Sequence, residues 1–474
     1  MRIFLIIFAL SFLTSCAVNP VTGKQDFVVI SENQEIQMGR EYNAQILRQN
    51  PVYQDQELQD YVQEIGESLA AKSHRPNLIY RFTVLDSPDI NAFALPGGYI
   101  YINRGLMSYL SSEEELAAVL GHEIGHVTAR HSVRQYSQSQ LLGILSTAIE
   151  INAGSTAGNV ANVASGALLS GYGRDMELEA DDLGAQYIYQ DGYSPQGMYE
   201  VLSVLKDQEI YSKQLAERRG QEPRSYHGVF ASHPSNDKRL QEVLNNVSNS
   251  FQKGNQKKND TYLQKIEGMV FGDSEQSGIR RGTEFFHGPL NIYLASPKTW
   301  EIINTPNQLI FSSPSGEAVL QMTLEDLNFK ETPEEYLKRF APYTFEDQSL
   351  NVNGYDGFTA KVNRSGRLTR MGVIFKNDQV FQFIGYTKDQ RFDLSAYDGQ
   401  FLQIMKSLRS LKKEEQPLSK PLRLRSYKVR KGDTYKSLAA ISSININAED
   451  QLRLINGDYP DKKLEIGRVI KIVN

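Results

Sequence analysis

Residues 112–127, SEEELAAVLGHEIGHV, combine a helix start with the spacing of a metal site. Ser112 and Glu115 have the spacing of a capping box, and the acidic residues around them suit the positive end of a helix dipole. Apolar residues then recur at helical spacing: Leu116, Leu120, Ile124 and Val127. The stretch therefore predicts a helix with one buried face.

His122 and His126 stand four residues apart in this helix, so both imidazoles project from one face and can share one metal ion. Glu123 flanks the pair. A catalytic zinc takes three protein ligands and leaves a fourth position open. Ala129 and Ser132 occupy the places where the elongated HExxHxxGxxH pattern has glycine and histidine. The third ligand must therefore come from another part of the chain.

The stretch Arg174 to Asp181, RDMELEAD, is the candidate source of that ligand. It opens a predicted helix over residues 174–190, on which Glu177 and Asp181 lie one turn apart. Glu177 can bind the metal, while Asp181 can accept a hydrogen bond from the far nitrogen of a ligating histidine. Two carboxylates on a helix are more often a solvated face, but the HExxH motif upstream favours the metal site.

An HExxH motif followed some fifty residues later by ExEAD resembles the gluzincin metallopeptidases of family forty-eight. That family includes the CAAX prenyl endopeptidases and the HtpX-like membrane quality-control proteases. Asn91 to Gly98 and the Ser232-His233-Pro234 stretch with Arg239 are also similar to it. The resemblance covers about residues 19–250. It implies one zinc ion per chain held by His122, His126 and Glu177, with Glu123 as general base and Asp181 orienting a histidine.

The implied chemistry is hydrolysis of a peptide bond by a water that Glu123 deprotonates. A further positive or hydrogen-bonding group must stabilise the oxyanion. His233 is the first candidate and Arg239 the second, against the alternatives of a loop-capping histidine and a surface ion pair. His233 could also occupy the fourth zinc position at rest and keep the site latent. His131 falls on another face of a continuous helix and is interpreted as structural.

Residues Asn91, Ala92, Phe93 and Ala94 alternate in polarity and precede Pro96-Gly97-Gly98. They predict an edge strand that aligns an extended substrate by backbone pairing, or else an ordinary sheet strand. Backbone pairing is tolerant of side chains, which makes unfolded polypeptide the natural substrate class.

Cys16 is the single cysteine of the chain, so no intramolecular disulfide forms. Residues 1–15 read as a signal peptide, and Leu13-Thr14-Ser15-Cys16 resembles a bacterial lipobox, in which the cysteine is acylated. The alternative is an ordinary signal peptide with a chance cysteine. Ala17 in place of an aspartate favours anchoring at the periplasmic face of the outer membrane.

The predicted fold class is α+β, with three domains in 474 residues. A mainly helical zinc peptidase domain with a small edge-strand sheet spans residues 16–250. Residues 251–264 are a linker, 265–411 a β-rich domain of unassigned role, and 412–424 a charged second linker. Residues 141–173, rich in small side chains, predict either mobile helices over a cleft or a helical hairpin of the core.

Residues 425–474 resemble a LysM domain through Tyr427 to Thr434, Ile455-Asn456-Gly457 and Ile470-Lys471-Ile472. The resemblance implies a strand-helix-helix-strand unit that binds N-acetylglucosamine polymers, which in the periplasm means peptidoglycan. The alternative is a degenerate unit that serves packing, because few aromatic residues are available for a sugar platform.

The charge balance is 51 basic against 56 acidic residues, with a net charge of −5 and no clustered basic stripe, which argues against nucleic-acid binding. The leading interpretation is a lipid-anchored endopeptidase for unfolded or misassembled envelope proteins. A peptidoglycan hydrolase, suggested by LysM with zinc, and a latent protease that acts mainly as a chaperone are the alternatives.

Overall fold

The computed structural model describes residues 16–140, 172–218, 239, 241–243 and 261–474, except residues 329, 365 and 390. These residues form two compact units. The first comprises Met1–Met269, Arg423–Ser442 and Ala448–Asn474, and the second Val270–Leu422 and Ser443–Asn447. Helices and sheets are mixed in both, and the predicted α+β class is confirmed.

The first unit is mainly helical. Its helices are α1 Glu32–Gln49, α2 Gln56–Ala70, α3 Arg104–Met107, α4 Glu113–Thr128, α5 Arg174–Gln190, α6 Gln196–Arg218 and α7 Tyr262–Lys265. Residues 131–140 are also helical. Helix α1 begins at Ser31, whose side chain accepts a hydrogen bond from the Gln34 backbone in a complete capping box. One amphipathic stretch from Ser31 to Ala71 thus forms two helices.

A small sheet lies beside these helices, with strands β3 Arg81–Leu85, β4 Ala92–Leu95 and β5 Tyr99–Asn103. The order is β3-β5-β4, with β3 parallel and β4 antiparallel to the central β5. Strand β5 is buried along its whole length. Strand β4 lies at an edge of this sheet, and Asn91 immediately precedes it.

A short hairpin opens the described chain, with strands β1 Cys16–Val18 and β2 Gln25–Phe27. Asn19 closes its turn by donating to Asp26 at 2.6 Å, and its side-chain oxygen accepts from Val21 N at 2.8 Å. After the hairpin, Val29 N donates to the Ser137 hydroxyl at 3.1 Å. The residues that follow Cys16 are therefore tied to the rest of the first unit.

The second unit is built on one antiparallel sheet of seven strands, in the order β10-β11-β12-β16-β15-β14-β13. The strand bounds are β10 Glu301–Thr305, β11 Gln308–Ser312, β12 Ala318–Asp326, β13 Thr344–Val352, β14 Tyr355–Arg364, β15 Arg367–Lys376 and β16 Gln379–Thr387. A smaller sheet holds β7 Ile279–Arg281, β8 Glu284–His287 and β9 Ile292–Ala295; β6 is Val270–Phe271.

Helices α8 Pro333–Phe340 and α9 Ser395–Lys406 belong to the same unit. Thr332 caps α8 in a complete capping box with Glu335, and Pro333 supplies the fixed φ of the first turn. Phe401 of α9 is fully buried in a core that also holds Phe311, Phe381 and Phe383. This unit therefore has its own hydrophobic core.

The carboxy-terminal segment, residues 423–474, has the expected order of strand, helix, helix and strand. The elements are β17 Leu422–Lys428, α10 Tyr435–Ala439, α11 Ala448–Ile455 and β18 Val469–Val473, with β17 antiparallel to β18. Most of the segment is grouped with the first unit, whereas the sequence predicted a separate domain after a linker. Residues 413–419 of that expected linker form a 3₁₀ helix.

The contacts of this segment with the rest of the first unit explain the grouping. The Tyr459 hydroxyl donates to Gln214 Oε1 of α6 at 2.7 Å, and the Tyr459 ring meets Tyr211 edge to face. The buried Lys471 ammonium donates to the Leu110 carbonyl, close to the start of α4. Helices α4 and α6 therefore both contact the end of the chain.

Several sequence expectations lie outside the described residues. They concern the signal peptide over 1–15, the small-residue segment over 141–171, His233, and most of the first linker. Within the part of the chain that the structure describes, no helix combines the length and the hydropathy that crossing a membrane requires.

Candidate metal centre

Helix α4 carries the first two candidate ligands. Ser112 caps it by accepting from Glu115 N at 3.2 Å, while the Glu115 carboxylate accepts from Ser111 N at 2.8 Å. The predicted capping box is thus present in a modified form, in which the Glu115 side chain bonds the backbone of Ser111 instead of that of Ser112. Glu113, Glu114 and Glu115 lie at the positive end of the helix dipole, as expected. The helix continues unbroken through His122 and His126.

Helix α5 brings the third candidate ligand, and small residues set its distance from α4. A Cβ atom at Gly125 would lie 2.9 Å from the Ala180 carbonyl oxygen, and one at Gly184 would lie 2.8 Å from His122 N. Neither position has room for a side chain. The two helices therefore cross with their backbones in close approach, which places Glu177 opposite His122 and His126.

The three donor groups converge inside the unit. His122 Nε2 and His126 Nε2 are 2.9 Å apart, and the Glu177 carboxylate oxygens lie 3.7 Å and 3.5 Å from them respectively. Ligands at about 2.1 Å from one tetrahedral zinc ion are separated by roughly 3.4 Å. All three residues are buried, and their ligand atoms lie within 4.8 Å of one another. The donor set and spacing fit zinc.

His122 has a carboxylate as its outer partner. Its Nδ1 lies 2.8 Å from Asp181 Oδ1, the pairing that the one-turn spacing of Glu177 and Asp181 predicted. Burial alone would raise the pKa of Asp181, but the Arg239 guanidinium and the hydrogen bonds it donates lower it overall. Asp181 therefore stays ionised and can fix the tautomer that leaves Nε2 free for a metal.

Arg239 lies behind this pair. Its Nε and Nη2 donate to the two Asp181 oxygens at 2.7 Å each, and its Nη1 lies 2.8 Å from Glu177 Oε2. The sequence-based alternatives for Arg239 were an oxyanion donor and a surface ion pair. The ion pair is buried, so the surface interpretation is wrong. The guanidinium is engaged with both carboxylates of the site.

His126 has a second histidine as its outer partner. Its Nδ1 lies 2.7 Å from His131 Nδ1, and His131 Nε2 lies 3.0 Å from a Glu179 carboxylate oxygen. Arg134 donates to the same oxygen at 3.0 Å. The hydrogen bond to His131 lowers the pKa of Glu179 to about 2, and burial lowers that of His131.

The expectation that His131 lies on another face of a continuous helix was wrong. Helix α4 ends at Thr128, and Arg130 has a φ of 56°. That left-handed residue turns the chain before helix formation resumes at residue 131. Arg130 is held there because its Nε donates to the buried Glu35 at 2.8 Å. The turn redirects His131 towards His126.

Tyr172 is a further residue of the site that the sequence did not indicate. Its ring stacks on the His126 imidazole with centroids 4.0 Å apart and an interplanar angle of 18°. Its hydroxyl lies 2.6 Å from Ser132 Oγ. A tyrosine at the end of a segment rich in small residues has no spacing that would have singled it out. Its position restricts how the His126 ring can turn.

A cavity opens beside the metal centre. His122, Glu123, Asp181 and Arg239 form its polar part, and Ala92 of the edge strand also lines it. Glu123 is 2% exposed and follows a proposed ligand directly. The structure therefore brings Glu123, the expected general base, into one cleft with His122, Asp181 and the edge-strand residue Ala92.

Comparison with known proteins agrees with this geometry. Residues 56–247 match the family model of Peptidase family M48. The chain is 30% identical over 239 residues to a beta-barrel assembly-enhancing protease of Yersinia pestis, covering 48% of this chain and 47% of that protein. The figures for the protein of the same name in Escherichia coli K12 are 29% over 281 residues, 57% and 55%.

A third relative is the mitochondrial metalloendopeptidase OMA1 of Arabidopsis thaliana, 31% identical over 162 residues and 33% of each chain. The chain thus spans about half the length, or less, of these curated relatives. The matched residues include the whole of helices α4 and α5, with His122, His126 and Glu177, whose side chains together could hold one metal ion. Residues 56–247 are thus similar to the M48 peptidases, a match that covers less than half of the chain.

Proposed function

We propose that this chain is a zinc metalloendopeptidase that cleaves unfolded or misassembled proteins of a bacterial envelope. The observation that carries the proposal is the convergence of His122, His126 and Glu177 around one point, with Glu123 beside them in the same cavity. The M48 match of this segment and the metalloendopeptidase relatives support the same reaction.

His122, His126 and Glu177 would hold a zinc ion, which would supply the Lewis acidity that polarises a peptide carbonyl and lowers the pKa of water towards about 7. The Glu123 carboxylate accepts a proton from the attacking water and passes it to the amide nitrogen that leaves. Asp181 holds the His122 ring at 2.8 Å, and Arg239 holds Asp181 in turn. The proposed roles of Asp181 and Arg239 are thus to position ligands, and His233 remains the proposed oxyanion donor.

Substrate alignment is assigned to strand β4. Asn103 N donates to Asn91 O at 2.9 Å, and residues across an antiparallel pair alternate between bonded and non-bonded positions. The backbone groups of Ala92 and Ala94 therefore point away from β5, towards the open edge. An extended polypeptide can pair with them irrespective of its side chains, which suits unfolded substrates.

The test compares wild type with Glu123→Gln, both loaded with zinc, on unfolded casein. The amide keeps the ligand set, so zinc content should be unchanged, while cleavage should fall by several orders of magnitude because the proton acceptor is lost. Zinc content is read by elemental analysis and cleavage by mass spectrometry. Turnover of the variant near that of wild type would rule out the mechanism.

The proposed location is the periplasmic face of the outer membrane, held through an acylated Cys16. The lipobox-like tetrapeptide supports this placement, and so does the likeness to proteins named for enhancing beta-barrel assembly. Cys16→Ala should move the protein from the membrane pellet to the soluble fraction. Retention of the variant in salt-washed membranes would contradict acylation.

Peptidoglycan tethering is a second proposal, supported by the strand-helix-helix-strand order of residues 423–474. Incubation of the full chain with purified sacculi separates the possibilities. Co-sedimentation without release of glycan fragments supports tethering, and release of fragments supports the alternative of a peptidoglycan hydrolase. Suppression of casein aggregation without cleavage would favour the alternative of a latent protease that acts as a chaperone.

A further inference from the structure

The cavity beside the metal centre is polar at one end and apolar over most of its wall. The apolar part is formed by Leu106, Val119, Met198, Val201, Leu202 and Leu205. Four of these residues follow the spacing i, i+3, i+4 and i+7 on helix α6, which places them on one helical face. Met198, Leu202 and Leu205 of this face are buried, and all four residues line the cavity.

The charged groups of the cavity are neutralised within it. Arg239 is bonded to Asp181 and Glu177 at 2.7 Å and 2.8 Å, and His122 is bonded to Asp181. Among the described lining residues, the remaining ionisable group is the proposed general base, Glu123. An acidic substrate side chain would lose its hydration here without gaining an opposite charge.

Strand β4 connects this apolar wall to the proposed substrate path. Ala92 belongs both to the edge strand and to the cavity lining. Side chains of an extended chain alternate between two faces, so a polypeptide paired with β4 directs one side chain near the reacting bond towards α6. The small Ala92 side chain leaves that route open.

We propose that the apolar face of α6 forms the subsite for a large apolar side chain next to the scissile bond, and that Val201 limits its size. The inference rests on the proposed function and adds the substrate preference. Exposed apolar side chains distinguish unfolded proteins from folded ones, because folding buries them. The subsite therefore selects unfolded chains in addition to the sequence-tolerant pairing along β4.

The test uses the zinc-loaded full chain. Cleavage sites in unfolded casein first show which position flanking the bond carries the preference. Two peptides that differ there by leucine or alanine are then compared. Wild type should favour the leucine peptide at least tenfold in kcat/KM, since one methylene in an apolar pocket changes the rate by about 10–200-fold.

Val201→Leu adds one methylene to the wall and should reduce the leucine-to-alanine ratio about tenfold. Val204→Leu is the matched control, because the same substitution on the same helix lies outside the cavity lining. It should leave the ratio unchanged. Wild-type cleavage without a preference, or an unchanged ratio in Val201→Leu, would overturn the subsite.

A binding measurement separates this inference from the proposed function. Both peptides are titrated into zinc-loaded Glu123→Gln, with and without Val201→Leu, and followed by fluorescence anisotropy. Tighter binding of the leucine peptide that Val201→Leu abolishes supports the subsite even if wild type cleaves neither peptide, in which case the proposed function alone fails. Equal binding of both peptides contradicts the subsite.

Discussion

The two proposed histidine ligands have different outer partners. His126 bonds His131, whereas His122 bonds Asp181. If His126 binds the metal through Nε2, its Nδ1 carries the proton and donates to His131 Nδ1 at 2.7 Å. His131 must then carry its own proton on Nε2, which donates to Glu179 at 3.0 Å. His126 thus donates to His131, and His131 donates to the Glu179 carboxylate.

We predict that His131→Ala lowers zinc affinity about 10–100-fold, the usual effect of losing an outer-shell partner. The His126 ring would lose the acceptor that fixes its tautomer. Zinc affinity is measured by competition with a chromophoric chelator, and helix content by circular dichroism. His131→Gln should recover part of the affinity, because its side-chain oxygen can accept a hydrogen bond.

His74→Ala is the control for this prediction. That histidine lies in the same unit and bonds the Tyr187 hydroxyl at 2.6 Å, away from the donor set. Its removal should leave the zinc affinity at the wild-type value. Unchanged affinity in His131→Ala would assign His131 a packing role only.

At the scale of single residues, sequence spacing was informative wherever the helices are regular. The spacing of His122 and His126, and of Glu177 and Asp181, follows the helical repeat, and each pair meets as expected. The position of His131 was not predicted correctly, because Arg130 adopts a left-handed conformation and changes the direction of the chain between the two helical segments. Arginine has no intrinsic preference for that conformation, and the bonds of Arg130 to the distant Glu35 and Ile30 hold it there.

At the scale of elements, the crossing of α4 and α5 determines whether a metal can be held. Gly125 faces Ala180, and Gly184 faces the backbone of His122. A separation larger by a few tenths of an ångström would move Glu177 away from the two imidazoles. The small residues in the two motifs are therefore part of the metal site, although they carry no ligand atom.

We predict that Gly184→Ala weakens zinc binding, because its Cβ atom would lie 2.8 Å from His122 N and force the helices apart. The overpacking should also lower the stability by about 1–3 kcal/mol. Both effects are measured, the first by chelator competition and the second by urea unfolding of the metal-free protein.

Gly173→Ala is the matched control at the start of the same helix, where an added Cβ atom meets nothing within 4 Å. Its zinc affinity should equal that of wild type. Equal affinities in Gly184→Ala and wild type would show that the helix crossing has room that the backbone positions do not suggest.

Element types were easier to predict than their assembly. The predicted capping residue Ser112 marks a helix start that the structure has. The grouping of residues 423–474 with the peptidase unit was not predictable, because it depends on contacts between distant parts of the chain. Tyr459 meets Gln214, and Lys471 meets Leu110, with nothing in the local sequence of either to indicate the other.

At the scale of the whole molecule, the carboxy-terminal segment contacts two parts of the chain that form the proposed catalytic cleft. Tyr459 contacts α6, the helix that supplies the apolar wall, and Lys471 contacts the residues before α4. Burial lowers the pKa of Lys471 to about 7. A segment whose sequence suggested an independent glycan-binding module thus has intramolecular contacts close to both helices.

The path of the chain through the first unit has a consequence for its modularity. The chain leaves this unit after Met269 and returns at Arg423. The departing and returning backbones lie side by side, with Gly268 N donating to Leu424 O and Leu424 N donating to Met269 O, both at 2.9 Å. Paired strands of this kind have Cα atoms about 5 Å apart.

Residues 270–422 therefore form an inserted cassette whose two ends meet, and a two-residue turn can span the gap. We predict that replacing them with Asn-Gly yields a protein that folds cooperatively and binds zinc with wild-type affinity, measured by thermal unfolding and chelator competition. Loss of folding would mean that the first unit requires residues 270–422 in order to fold. Success would make the junction between Met269 and Arg423 an exchange point, at which evolution or an engineer can change the accessory domain while the catalytic body stays the same.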